Sequence, residues 1–158
     1  MNKNEIMEWT ESWEGRRSRV YTDSKGHPTI GVGFNLDRSD ARRQLEDLGL
    51  DYDQVRAGQI YLSNAQIDQL FNADVDRAIV DARDIVSNFD SIPEPKQKVV
   101  VDMIFNLGAM GFSGFHNTIT AIEQMDWPRA AQEMKDSRWY TQVGNRAVTN
   151  VEVMGSTG

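Results

Sequence analysis

Residues 62–86 carry the feature that most limits what this chain can fold into. Ser63 and Gln66 have the spacing of a helix capping box, and Leu62 with Ile67 has that of a hydrophobic staple. Ile67, Leu70, Phe71, Val75, Ala78, Ile79, Ala82, Ile85 and Val86 then recur at helical intervals. The stripe predicts one helix from about Asn64 to Val86, about 35 Å long and able to join two lobes. Asp74 lies on or beside it, i+3 from Phe71 and i+4 from Leu70. A buried carboxylate there wants a partner; a rim position open to water is the other reading.

Before this stripe, Asn2 and Glu5 cap a first helix, expected over residues 2–13, with Ile6, Trp9 and Trp13 at helical spacing. The two tryptophans read as core rather than as a platform for sugar rings. Gly15 is placed to terminate the helix. Glu14 therefore falls in its last turn, where the negative end of the helix dipole disfavours a carboxylate. RSRVYT (17–22) reads as a strand, DSKG (23–26) as a turn and TIGVGF (29–34) as the return strand. A period of two puts Ile30, Val32 and Phe34 on one face and Thr29, Gly31 and Gly33 on the other. That second face suits either close approach of a ligand or simple bends at glycines.

Ser39 is expected to cap a short helix bearing Ala41, Leu45 and Leu48 and closed by Gly49. Residues 50–62 read as irregular, with at most one helical turn. Beyond Pro93 and Pro95, a helix from about Lys96 to Leu107 is apolar almost all round, the pattern of a buried central helix. Asp102 and Asn106 interrupt it. GAMGFSGF reads as a glycine-rich bend. Three further short helices are expected, one carrying Ile119, Ile122 and Met125, one starting near Pro128, and one after Asn145. SRWYTQVGNRA lies between the last two. The architecture is then α+β and mostly helical. A small N-terminal β-hairpin lobe (about 14–62) is joined by the long helix (about 63–86) to a helical C-terminal lobe (about 87–158), the whole of 1–158 forming one domain.

Composition removes several functions. The net charge of −7 argues against nucleic acid as the main partner. Cysteine is absent, and the two histidines, His27 and His116, form no metal-ligand motif, so no metal or other cofactor is expected. No apolar run approaches a membrane span, and the acidic N-terminus lacks the pattern of a signal peptide. The expectation is a protein held in the cytoplasm that does not insert in membranes. Nothing demands an oligomer, and a monomer is expected.

Two carboxylates and a hydroxyl, without thiol, metal motif or phosphate loop, suit glycosidic hydrolysis. With 24 Asp and Glu in the chain, a Glu–Asp pair nine residues apart carries little by itself. The full pattern, Glu14-x8-Asp23-x5-Thr29 followed by IGVGF, resembles the T4 class of phage lysozymes (endolysins, muramidases). LFNADVDRA (70–78), DMIFNLG (102–108), GFSGFHNT (111–118), SRWYTQ (137–142) and NRA (145–147) resemble further family segments in the same order. The resemblance covers almost the whole chain. It implies hydrolysis of the β-1,4 bond between N-acetylmuramic acid and N-acetylglucosamine in peptidoglycan, with inversion. Glu14 would be the general acid. Asp23 would position or deprotonate the water, and Thr29 would help hold it. Arg146 matches the arginine that pairs with the catalytic Glu. Phe105 matches an aromatic lining the cleft, although its own pattern suits the core equally. Thr118 matches a small hydroxyl contact to sugar.

The chain departs from the family in places. A histidine ends the hairpin run in the T4 relative and pairs with an aspartate on the long helix; here Phe34 takes that position while Asp74 remains, so Asp74 needs another partner or water. Asn35 and Glu133 replace other cleft contacts with different chemistry. The T4 relative is basic and this chain acidic, which implies a different salt dependence. The implied biology is an endolysin that waits in the host bacterial cytoplasm and reaches the wall in the periplasm with help from a holin-type protein. The alternatives are a tail-associated lysozyme used at entry, and a catalytically silent wall-binding module.

Overall fold

The computed structural model describes residues 1–157. The chain forms two compact units, one of Glu11–Asp74 and one of Met1–Thr10 with Val75 onward. Their boundaries fall within helix α1 (Lys3–Glu14) and helix α4 (Asn64–Ile85). No single helix among the described residues is long and apolar enough to cross a membrane.

The first unit holds the sheet. Strands β1 (Arg17–Thr22), β2 (Pro28–Gly31) and β3 (Phe34–Asn35) pair antiparallel in that order. Tyr21 stands opposite Thr29, and Ile30 opposite Phe34. The expected single return strand TIGVGF is therefore two strands with a turn between. Gly31 and Gly33 adopt φ of +65° and +67°, which side chains other than glycine strongly resist, and they reverse the chain around Val32. The period of two fails with it. Thr29, Ile30, Gly31, Val32 and Phe34 are all buried. A Cβ at Gly31 would meet the Ile67 side chain at 3.4 Å, so the bare face lies close to α4.

Helices α2 (Ala41–Asp47) and α3 (Tyr52–Arg56) complete this unit. Ser39 does not cap α2. Asp40 holds the cap position without a side-chain cap bond, because its carboxylate is taken by Arg38 and Gln44. Residues 50–62 are irregular apart from the short α3, as expected, and Asp51 caps that helix by accepting the Gln54 N–H at 3.1 Å. Ser63 and Gln66 form the reciprocal capping box that opens α4.

Asp74 has its substitute partner. Arg38 Nη1 donates to its Oδ2 at 2.8 Å, and the guanidinium lies 4.3 Å from the Phe34 ring centroid. An arginine stacked on Phe34 thus does the work of the family histidine. Burial pushes the Asp74 carboxyl above the usual range, and Arg38 pulls against it. Arg38→Met should therefore cost about 2 kcal/mol at pH 7. The folded-state proton affinity of Asp74 would rise further above its unfolded value of about 3.9. The resulting penalty is present above that pH and fades as both states become protonated. Urea unfolding at pH 7 and pH 3 checks this. An equal cost at both would mean that Arg38 acts only by packing on Phe34.

The second unit is helical: α5 (Glu94–Ser113), α6 (His116–Glu123), α7 (Trp127–Lys135), α8 (Arg138–Val143) and α9 (Asn145–Gly155). Helix α7 packs on α6 and α9, and α5 and α8 also pack on α9. Val99, Val100, Val101, Met103 and Ile104 of α5 are buried at the centre. The glycine-rich bend is narrower than expected. Only Gly108, at φ +78° and ψ 162°, leaves the helix, and the chain resumes helical conformation to Ser113. RWYTQV is likewise a helix, α8. The Ser137 hydroxyl caps it from the Tyr140 N–H, a signal that its sequence position before RWY offered. Lys96 is fully buried and donates to Val153 O, Ser156 O and Ser156 Oγ at 2.6, 2.7 and 3.1 Å, closing the C-terminus of α9.

Candidate active site

Glu14 is the last residue of α1. Gly15, at φ +77°, ends the helix there, its N–H donating to Glu11 O at 2.8 Å. Glu14 as a residue is half-buried. Asp23 opens the turn after β1. Its Oδ1 accepts the backbone N–H of Lys25 at 2.9 Å and of His27 at 2.8 Å, an Asx turn. These bonds, that from His27 foremost, hold the Asp23 carboxyl below the usual carboxylate range. Asp23 thus stays ionised, with Oδ2 left over from the turn. Thr29, nearly buried on β2, donates its hydroxyl to His27 O at 3.0 Å. The His27 backbone therefore ties Asp23 and Thr29 together, also receiving the Asp23 N–H at 2.9 Å.

Tyr21 links the third member. It faces Thr29 across the β1–β2 pair. Its phenol is pushed up by burial, then by the charge of Glu14, with Arg17 opposing and Asp23 adding to the rise. Glu14 and Asp23 thus act on one group, and Thr29 stands opposite it. Sequence reasoning singled out the three but not Tyr21. The available signal was the hairpin register, which puts residue 21 beside residue 29 once Asp23–Gly26 is taken as the turn.

The remaining expected site residues lie in the helical unit. Phe105 is half-buried, while the five residues before it are enclosed. Thr118 is buried at the start of α6. Arg146, at the start of α9, is 8% exposed. Its Nε and Nη2 donate to Asp102 Oδ2 and Oδ1 at 3.0 and 2.8 Å. Asp102 also accepts from Thr10 Oγ1 at 2.7 Å and Asn150 Nδ2 at 2.8 Å. Asp102 is the residue the sequence reading passed over. A carboxylate inside an otherwise apolar helix was the signal, since burial demands a cation and hydrogen bonds. Asn106, the other interruption, accepts the Trp139 indole N–H at 3.0 Å.

The model of the phage lysozyme family matches residues 11–152, the span that holds Glu14, Asp23, Thr29 and Arg146. This chain belongs to the phage lysozyme family. It is 28% identical over 142 residues to the "Probable T4-type lysozyme 2" of Dictyostelium discoideum, covering 85% of this chain and 84% of that protein. It is 26% identical to the "Probable T4-type lysozyme 1" of the same organism, covering 89% and 88%. It is 29% identical to the "Pre-baseplate central spike protein Gp5" of Enterobacteria phage T4, covering 90% of this chain but only 26% of that protein. The enzyme is a glycoside hydrolase of muramidase type, with peptidoglycan as its substrate. In this lysozyme the strand-bearing unit holds a carboxylate, Asp23, tied through the His27 backbone to the Thr29 hydroxyl, and a second carboxyl, Glu14, at the end of α1. Those are the groups that protonating a leaving oxygen and directing a water require.

Proposed function

We propose that the enzyme cuts the β-1,4 bond between N-acetylmuramic acid and N-acetylglucosamine with inversion. Glu14 donates its proton to the leaving oxygen as the bond from the anomeric carbon breaks. Water attacks that carbon from the opposite side, and its proton passes to Asp23. Thr29 holds the water. The family resemblance gives Arg146 the role of supporting the general acid, and Phe105 and Thr118 that of contacting substrate. No cofactor takes part. The observation that carries this reading is the electrostatic neighbourhood of Tyr21, shared by Glu14 and Asp23 with Thr29 opposite.

The biological role in this reading is host lysis by a monomer that waits in the cytoplasm and reaches the periplasmic wall with a holin-type partner. The similarity to the T4 central spike protein supports a second reading, a lysozyme carried on a tail and used at entry. The test is clearing of outer-membrane-permeabilised Gram-negative cells, followed by mass analysis of the fragments. Reducing N-acetylmuramic acid ends that first appear as the α-anomer are expected. Reducing N-acetylglucosamine ends, or peptide cleavage alone, would overturn the bond assignment.

A pH dependence follows from Asp23. The base must be ionised, and its carboxyl is held below the ordinary range. The acid limb of kcat/KM should therefore fall below pH ~4, the ordinary Asp value. An acid limb well above that value would mean that another group serves as the base.

A further inference from the structure

The turn that carries Asp23 is open at its tip. Ser24, Lys25 and Gly26 are exposed, and Gly26 adopts φ of +87°. The backbone of His27 orders this turn. Its N–H donates to Asp23 Oδ1 at 2.8 Å, and its C=O accepts the Asp23 N–H at 2.9 Å and the Thr29 hydroxyl at 3.0 Å. Three hydrogen bonds thus meet at one residue. A rotation of residue 27 would move the Asp23 carboxylate and the Thr29 hydroxyl together.

The His27 side chain is held from the other side. Its Nδ1 lies 3.3 Å from Asp37 Oδ2. An ionised carboxylate only accepts, so the pairing selects the imidazole with a proton on Nδ1, whether neutral or charged. Asp37 is itself a fixed post. Its N–H donates to Asn35 Oδ1 at 2.8 Å, and its Oδ1 accepts from Arg56 Nη1 of α3 at 2.6 Å. Arg56 also donates to the Tyr52 hydroxyl at 3.0 Å, and that hydroxyl donates to Leu36 O at 2.6 Å. The Leu36 N–H in turn donates to Pro28 O at 2.8 Å, next to His27. Arg56 first, and then His27, hold the Asp37 carboxyl below the usual carboxylate range. The His27 and Asp37 side chains are 44% and 40% exposed, so their contact adds little to stability. Its effect lies in what it holds still, because a small displacement of a reacting group costs rate steeply.

We propose that the His27–Asp37 contact, braced from α3 by Arg56 and Tyr52, is a strut that positions Asp23 and Thr29 for the attacking water. This rests on the reading of Asp23 as the base and Thr29 as the holder of the water. His27 and Asp37 are then positioning residues: they act through the turn and touch no reacting atom. The charged and titratable groups that interact with Asp23 are His27 and Lys25 of its own turn and Tyr21 of β1, with Asp37 behind His27. Their arrangement makes Asp37→Ala the deciding variant. Loss of the Asp37 charge alone would leave the turn more positive and lower the Asp23 pKa. Release of the strut would raise it, because the His27 N–H bond that holds it down would slacken. The two effects have opposite signs.

The test is a ¹³C NMR titration of the Asp23 carboxyl in the whole chain, with kcat, KM and Tm on the same preparations. The proteins are the parent, His27→Ala, Asp37→Ala, Asp37→Asn and Asp53→Ala. Asp53 pairs with Arg42 at 3.1 Å in the same unit and controls for the loss of an exposed ion pair. In His27→Ala and Asp37→Ala the Asp23 carboxyl should titrate higher, and the acid limb of kcat/KM should move up with it. In both, kcat should fall about fivefold, with KM within about twofold of the parent. Tm should move by less than about 3 °C. Asp37→Asn keeps an oxygen to accept the Nδ1–H and should recover most of the lost kcat, and Asp53→Ala should match the parent throughout. An Asp23 titration that is unchanged or lowered in Asp37→Ala would overturn the strut. So would an Asp37→Asn no faster than Asp37→Ala, or a loss that appears in KM and not in kcat. Asp23→Asn, run alongside, separates the two readings. Turnover by Asp23→Asn at the parent rate would remove Asp23 as the base, while the NMR titration still decides the strut.

Discussion

Glu14→Gln should lower kcat by about a thousandfold or more while the protein stays folded. Glutamine keeps the size of the side chain and its ability to hydrogen-bond. It has no proton to give to the leaving oxygen at the moment the glycosidic bond breaks. The loss should appear in kcat and kcat/KM together, with KM little changed, because the missing interaction forms only in the transition state. Stability should stay within about 1 kcal/mol of the parent, since a carboxylate at the negative end of a helix contributes little to the helix that bears it. Single-turnover rates on soluble glycan, with thermal unfolding on the same preparation, separate the two effects. Wall lysis by Glu14→Gln at the parent rate would show that the general acid is elsewhere. A collapse of Tm by tens of degrees would show that Glu14 is a structural group.

Asp102→Ala should have the largest effect on stability, a loss of about 3–5 kcal/mol. The reason is what the substitution leaves behind. Asp102 is fully buried and receives four hydrogen bonds, two from Arg146 and one each from Thr10 and Asn150. Alanine would take two charge-assisted hydrogen bonds from a nearly enclosed guanidinium and leave the buried Thr10 and Asn150 without the acceptor they bond. Asp102→Asn keeps the shape and part of the bonding, so its cost should be smaller. A paired replacement by apolar residues, Asp102→Leu with Arg146→Met, should recover part of the loss in stability, because the buried carboxylate and the guanidinium it binds are removed together. Urea unfolding of the four proteins checks the order. A loss below about 1 kcal/mol for Asp102→Ala would mean that water enters and replaces the carboxylate.

The two substitutions probe different links in the chain from sequence to function. The place of Glu14 at the end of α1 was legible because local rules set it, a helix stripe and a glycine terminator, while its proposed role rests on a spacing to Asp23 and Thr29 that resembles a family pattern. Asp102 was visible only as an anomaly in an apolar helix. Its partners lie 92, 44 and 48 residues away in sequence, at Thr10, Arg146 and Asn150, and no local periodicity encodes such distances. The same contrast holds for Asp74. Its need for a partner could be read from the stripe, but Arg38 is 36 residues distant and no spacing rule points to it.

What the sequence determined by itself was everything governed by nearest neighbours along the chain. That includes α4 with its capping box, α1 with its glycine stop, the Asp23 turn, the apolar centre of α5, and the α+β class that follows from them. Hydrophobic period and cap chemistry act within a turn or two, so they survive reading in one dimension. Only the tertiary structure decided that TIGVGF breaks into two strands, because two left-handed glycines turn the chain around Val32 against α4. It also decided that Arg38 neutralises Asp74 and that Asp102 carries Arg146. Those outcomes depend on which distant surfaces meet, and on the cost of leaving a buried charge or a buried hydrogen-bonding group without a partner.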